Sequence, residues 1–242
     1  MKKGIIVLAL AANLVLMSAV SALAHCIWAE VPTRVDVGQE FGITAFYADP
    51  DDPLDERDLT NLNLYVFKPN GQTVEIPLEE KAAHYEAVAK LTNAGQHLFV
   101  LERDPNRHRL TEIRDFSKAV TWAGQQGSIL HDPVGIPLEI NPVEVVELDN
   151  GQVEMTVQVL YNGNPVGGGE IEVFKSVDPT SFLYEEIAEL DVPATGTVSL
   201  VLDPSRKYVF ETDHRVPARE ISGTGMAITE VRFRSTLFVG AN

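Results

Sequence analysis

One cysteine, Cys26, stands in 242 residues, so no intrachain disulfide staples the fold. In an oxidising compartment a lone thiol has to be buried, paired or metal-bound to persist. Basic residues are few as well, 19 against 35 acidic ones for a net charge of −16; such a surface repels nucleic acid and anionic lipid and attracts cations. The chain has no Gly-x-Ser-x-Gly elbow, no His-Glu-x-x-His and no Walker loop, which leaves it without the residue sets of the common hydrolases and nucleotide enzymes. It reads as a non-enzyme. The triple glycine Gly167–Gly169 lacks the lysine and following helix of a phosphate cradle, and close packing at the start of a strand accounts for it.

What is present begins with an export segment. Lys2 and Lys3 precede the apolar run "GIIVLALAANLVLMSAVS", and Ala22-Leu23-Ala24 forms a small-x-small cleavage site. A signal peptide over residues 1–24 and a mature chain opening at His25 follow, with periplasmic location as the expectation. The histidine before Cys26 argues against lipidation. Without Lys2 and Lys3 the mature chain has 17 basic and 35 acidic residues, a balance of −18.

Helical periodicity is scarce and alternation is widespread, which argues an all-β fold of two β-sandwich, immunoglobulin-like domains in tandem. "LNLYVF" sets Leu62, Leu64 and Val66 on one face, and "VEMTVQVLY" sets Val153, Met155, Val157 and Val159 inward. "VSLVL", "KYVFET" and "VRFRSTLFV" repeat the habit, and Asn70-Gly71, Asn150-Gly151 and Asn162-Gly163 mark hairpin turns. Residues 84–91 read as a strand. "RLTEIRDFSKAVTW" fits a short helix at its start and a strand at its end, and its assignment stays open. The segment "AGQQGSILHDPVGIP", rich in glycine and proline, divides a domain over 25–130 from one over 137–242.

Antiparallel strands alternate direction, so loops can be assigned to the two ends of a sandwich by counting. The count gathers His25, Cys26, His84, His108 and the acidic loop Asp49–Asp58 at one end, and sends His97 to the other. A terminal amine and imidazole at His25 can chelate one ion, to which Cys26 adds a backbone nitrogen and a thiolate. Nitrogen and thiolate donors in a plane suit nickel(II) or copper(II), and imidazole with thiolate in a tetrahedron suits zinc. The candidate metal ligands are therefore His25, Cys26, His84 and His108, with Cys26 alternatively a small buried apolar residue of the first strand. The acidic loop is not an EF-hand: counted from Asp49, the sixth position is Leu54 and the twelfth Thr60.

The segments "AHCIWAEVP", "AGQHLFVLERDP", "GIPLEINPV", "VQVLYNGNPVGGGEIEVF" and "TGTVSLVLDPSRKYVFETDHRVP…RFRSTLFV" together resemble a periplasmic nickel-uptake accessory family that is largely a domain of unknown function. The resemblance implies a two-domain β protein whose mature chain starts with histidine. It also implies delivery of nickel or cobalt to a membrane metal-uptake transporter of the energy-coupling-factor type. Family members committed to nickel carry histidines and methionines after the second strand, where this chain has Asp49, Asp51, Asp52 and Asp55. The reading from another class is a metal-free structural, carbohydrate- or protein-binding module, for which Trp28, Trp122, Tyr161 and Tyr184 supply the aromatic surface.

Amino-terminal sequencing of protein recovered from the periplasm should read His25-Cys26-Ile27-Trp28. A chain that keeps Ala24 or begins elsewhere does not carry its α-amine on His25.

Overall fold

The computed structural model describes residues 25–54, 61–125 and 127–241. The export segment expected over 1–24 lies outside the described residues, as do Asp55, Glu56 and Asp58 of the acidic loop. The first half contributes β1 (Cys26–Glu30), β2 (Arg34–Val35), β3 (Glu40–Ala48), β4 (Leu62–Phe67), β5 (Thr73–Ile76), β6 (Glu79–Glu80), β7 (Tyr85–Lys90), β8 (Gly95–Arg103), β9 (Asn106–His108) and β10 (Thr111–Ala123). The second contributes β11 (Leu138–Glu147), β12 (Val153–Tyr161), β13 (Asn164–Pro165), β14 (Glu170–Ser176), β15 (Tyr184–Asp191), β16 (Thr197–Leu202), β17 (Tyr208–Pro217) and β18 (Glu230–Val239). The protein is all-β with several sheets, and none of its described helical turns is long and apolar enough to cross a membrane.

The segment left open between helix and strand is β10, thirteen residues long. Its apolar pattern is blurred because both of its faces are buried, so neither the period of a helix nor that of a half-buried strand shows.

β10 also changes the expected division into two tandem sandwiches. Thr111–Ala119 pair in parallel with Glu230–Phe238 of β18, so one large sheet runs β15-β14-β17-β18-β10-β8-β4-β5 through both halves. Parallel neighbours need a long crossover, and here the crossover is the whole second half of the chain. Alternate residues of the shared strands serve two cores. Ala119 and Phe238 belong to the first, with Trp28, Phe46, Leu64 and Leu101. Phe116, Phe233 and Leu237 belong to the second, with Leu138, Ile140, Met155 and Val157 of the sheet formed by β11, β12, β13 and β16.

The segment between the halves has no strand but is tied down. The Trp122 indole donates to Ser128 O at 2.8 Å, and the Gln96 amide donates to Ser128 O and Leu130 O at 2.9 and 3.0 Å. Beneath it lies a buried ion pair, Lys118 Nζ to Glu139 Oε1 at 2.5 Å, with Asn141 Oδ1 accepting from the same ammonium at 2.9 Å. Burial lowers the Lys118 pKa to about 8, against the pull of Glu139. Glu139 also accepts from the backbone of Val134 and Gly135, which fixes where the chain enters β11. At Gly167 a Cβ would stand 2.0 Å from Pro193 O, so only glycine lets these two loops approach.

The remaining small sheet, β1-β3-β7-β6, covers the first half. β1 enters at its edge with both faces covered: Thr236 of β18 donates its hydroxyl to Ile27 O at 2.7 Å. One face of β1 and β3 carries Ile27, Ala29 and Tyr47, the other Cys26, Trp28 and Phe46, as the register Cys26↔Ala48 through Glu30↔Thr44 requires. On the second face Trp28 stacks on Phe46 and meets Tyr184 of β15 edge-on. Glu30 there accepts from Tyr184 Oη and Lys207 Nζ, both at 2.6 Å.

Where β8, β10 and β18 lie side by side, Asp115 is held between two guanidinium groups. Arg103 Nε approaches Oδ2 and Arg234 Nε donates to Oδ1, each at 2.5 Å, with all three side chains at most 3 % exposed. Removing the central carboxylate leaves two buried cations uncompensated, so Asp115→Ala should destabilise the fold by about 3–5 kcal/mol. Urea unfolding followed by tryptophan fluorescence checks it, and a loss below about 1 kcal/mol would make the triad dispensable.

Candidate functional site

Strand direction in the first half matches the count made from sequence. The start of β1 pairs with the end of β3 (Cys26↔Ala48), the start of β7 joins the same strand (Tyr85↔Ala45), and the end of β8 meets the start of β4 (Arg103↔Leu62). His97, opposite Thr121 in β10, is at the far end and fully buried. Its Nδ1 lies 3.1 Å from Gly95 O.

Sharing one end does not bring the four candidate ligands into one cluster. His25 lies on the Tyr47 face, its ring edge-on to that of Tyr47 at 5.5 Å, with Nδ1 3.1 Å from Asp49 Oδ2. Cys26, the next residue, points to the opposite face and is buried. His84 is also on that opposite face, 6.0 Å from the Phe46 ring, and its Nε2 is 3.2 Å from Glu86 Oε1. His108 lies exposed in β9, paired with Thr111. Among the described residues no group of three or more His, Cys, Asp or Glu side chains is arranged to hold a metal ion.

The pair that does form is His25 with Asp49. Asp49 Oδ2 faces the imidazole, while its Oδ1 is buried with no hydrogen-bond partner among the described residues. A buried carboxylate oxygen left unpaired is costly, and a cation at this point would satisfy it. Asp51 and Asp52 follow on the exposed loop.

Cys26 faces a different chemistry. Its thiol donates to Glu211 of β17, and burial first, then the charge of Glu211, pushes its pKa well above the ordinary value. The group is a protonated thiol among buried polar partners. Burial likewise pushes Glu211 up to about 8, against the lowering charge of Arg234. The Arg103–Asp115–Arg234 triad is thereby linked to Glu211 and Cys26 under the start of β1. Sequence reading had no signal for this: in "VRFRSTLFV" and "YVFETDH" the alternating charges have the appearance of a solvent face, and only the covering by β1 makes them interior.

A cavity of about 340 Å³ opens beside Glu211, lined by Glu170, Glu172, Asp191 and Asp213 with Arg232 as the single cation. Arg232 Nε is bonded to Asp213 Oδ2. A hydrogen bond between Glu170 and Glu189 raises the Glu170 pKa, a consequence of crowding carboxyls on adjacent strands. Another cavity, about 580 Å³, lies at the other end of the second half, between Trp122, Ile129, Met155, Tyr208 and Phe238, away from these charges. Of the aromatics named for a metal-free binding module, Trp28 and Tyr184 are core residues, 0 % and 2 % exposed, while Trp122 and Tyr161 are half-buried. Tyr161 packs against His214 and Phe233.

Fold and site thus define an all-β protein with an imidazole–carboxylate pair at the head of its first strand. The chain belongs to a family defined as a domain of unknown function, DUF4198, whose model matches residues 22–216. No curated protein matches it. Among solved structures, a DUF4785 family protein from Legionella pneumophila is 13 % identical with a TM-score of 0.31, over 76 % of this chain and 51 % of that one. Trypsin-activated alpha-2-macroglobulin from Escherichia coli is 12 % identical with a TM-score of 0.29, over 90 % of this chain and 16 % of that one. The D0-D1 domain of intimin is 10 % identical with a TM-score of 0.28, over 89 % of this chain and 97 % of that one. The chain therefore spans about half of the first of these proteins and a small part of the second.

Glu211 makes a pH-dependent contribution whose sign is fixed. Its raised pKa means that the folded chain keeps a proton which the unfolded chain releases near the ordinary value of 4.5. The stabilisation is complete below that value and is lost as pH rises through about 8. Wild type should therefore lose stability relative to Glu211→Gln between about pH 5 and pH 9. Paired thermal melts across that range check it, and parallel curves would contradict it.

Proposed function

We propose that the protein is an exported periplasmic protein with immunoglobulin-like sandwich halves that binds nickel or cobalt and hands it to a membrane uptake transporter. The observation that carries this reading is the His25–Asp49 pair, with one carboxylate oxygen facing the imidazole at 3.1 Å and the other buried without a hydrogen-bond partner among the described residues. Cleavage after Ala24 would add the α-amine of His25, giving two nitrogens and a carboxylate oxygen, donors that suit nickel and cobalt. The exposed Asp51 and Asp52 and the net charge of −16 draw cations to this end.

In this reading Cys26 is not a ligand. Metal binding requires the thiolate, and burial with Glu211 disfavours it. His84 and His108 stand aside, one against Phe46 and Glu86 and the other exposed in β9. An open, partial ligand set suits an ion that is passed on rather than kept, since the transporter can displace the remaining water ligands.

Calorimetric titration of the metal-free chain beginning at His25 with nickel(II), then cobalt(II), tests the proposal. His25→Ala and Asp49→Asn should each weaken binding at least about tenfold, roughly 1.4 kcal/mol. Cys26→Ala should bind as wild type does, without a thiolate-to-metal absorption band in either protein. No heat of binding, or binding indifferent to His25→Ala, would sink the idea.

A further inference from the structure

A reactive arrangement, independent of the metal reading, lies where β10 meets β11. Lys118 Nζ stands 2.5 Å from Glu139 Oε1 and 2.9 Å from Asn141 Oδ1. The three residues are 1 %, 1 % and 4 % exposed, and a lysine is seldom buried whole. A carboxylate alone would compensate the ammonium, yet a carboxamide is set against it as well. Glu139 and Asn141 are two residues apart on β11, so the pleat turns both toward Lys118, while Leu138 and Ile140 enter the second core.

Both partners of the lysine are held in place. Glu139 accepts from the backbone N–H of Val134 at 2.9 Å and of Gly135 at 3.2 Å. The Asn141 amide donates to His131 O at 3.0 Å, which directs its nitrogen to the linker and leaves its carbonyl to the lysine. An amine, an acid–base group and an amide carbonyl fixed in contact replace a bimolecular encounter by an intramolecular one. Burial lowers the Lys118 pKa to about 8, so neutral amine is within reach near neutral pH, and a desolvated lysine of this kind is a nucleophile.

We infer that Lys118 and Asn141 become joined by an isopeptide bond, Nζ to Cγ, with Glu139 as the general acid and base. Glu139 first takes a proton from the ammonium. The freed lone pair attacks Asn141 Cγ, forming the Nζ–Cγ bond and moving the carbonyl pair onto Oδ1. Glu139 then gives its proton to Nδ2, and collapse of the carbonyl breaks Cγ–Nδ2 and releases ammonia. The carboxylate takes the surplus proton from Nζ and passes it to the departing ammonia. The products are an amide, an ammonium ion and the original carboxylate, with nothing oxidised or reduced. Asn141 is followed by Pro142, whose nitrogen bears no hydrogen, so the common loss of ammonia by attack of the next backbone N–H is closed to it. The bond turns the linker into part of a covalent ring and fastens β10, the strand shared by both cores, to the sheet that begins at β11.

Intact-mass spectrometry of the denatured mature chain, followed by chymotryptic mapping, tests this. The wild-type chain should be lighter than its sequence mass by one ammonia. Cleavage after Trp122 and Leu138 separates Lys118 from Asn141 in the chain, so the two peptides should be recovered as one branched species. Lys118→Met and Asn141→Ala should each have the full sequence mass and give separate peptides. Glu139→Gln keeps both reacting groups and should leave most of the chain unlinked. A wild-type chain of full sequence mass overturns the inference whatever the variants do. So does an ammonia loss that maps to Asn70, Asn150 or Asn162, each followed by glycine, because it joins no two peptides. A folded Glu139→Gln chain linked as completely as wild type removes Glu139 from the reaction.

Discussion

The parallel pairing of β10 with β18 is the constraint from which the rest of the structure follows. Nine residue pairs, Thr111↔Glu230 to Ala119↔Phe238, join the two halves in one sheet. A parallel pair at the centre of a sheet is covered on both faces, so every side chain of these strands meets protein. The apolar ones divide between two cores. The charged ones must find partners, and this is why Asp115 is clasped by Arg103 and Arg234 and why Lys118 is set against Glu139 and Asn141. Such pairs add little net stability over apolar residues of similar volume, yet they fix register, since a slipped strand would strand a buried charge.

β1 is the second consequence. Wedged against β10 and β18 with Ile27 O bonded to Thr236, it sends alternate side chains into two environments. The even-numbered residues Cys26, Trp28 and Glu30 meet Glu211, Tyr184 and Lys207 of the second half. His25 goes to the other side with Tyr47 and Asp49. Two residues adjacent in sequence therefore have opposite chemical prospects. The imidazole stands at the rim beside a carboxylate, and the thiol is sealed in a protonated state. A metal chemistry built on His25 and Cys26 together would need them on one side of a strand, which the pleat of an extended chain forbids for their side chains.

Much of the fold was legible in the residues. Alternation located β4, β7, β12, β16 and β18 to within a residue or two and the start of β17, and the Asn-Gly turns located several of the reversals. Strand counting also gave the correct end of the first half for His25, His84 and His108. These features are local: side-chain period and turn chemistry act over a few residues and are written directly in the chain. β10 resisted because burial on both faces erases the period, and the charged seam escaped notice because alternate arginines and acids look the same whether water or another sheet covers them.

The sequence by itself determined that the chain is β, where it turns, that its lone cysteine forms no internal disulfide, and which end of the first half collects the histidines. Only the tertiary structure decided that the two halves share a sheet, that Cys26 lies against Glu211, and that Asp49 rather than another histidine meets His25. The reason is range. Periodicity and turns are fixed by neighbours a few bonds away, whereas the partner of a buried charge or a terminal imidazole lies on another strand or loop, near in sequence for His25 and Asp49 and more than a hundred residues distant for Asp115 and Arg234.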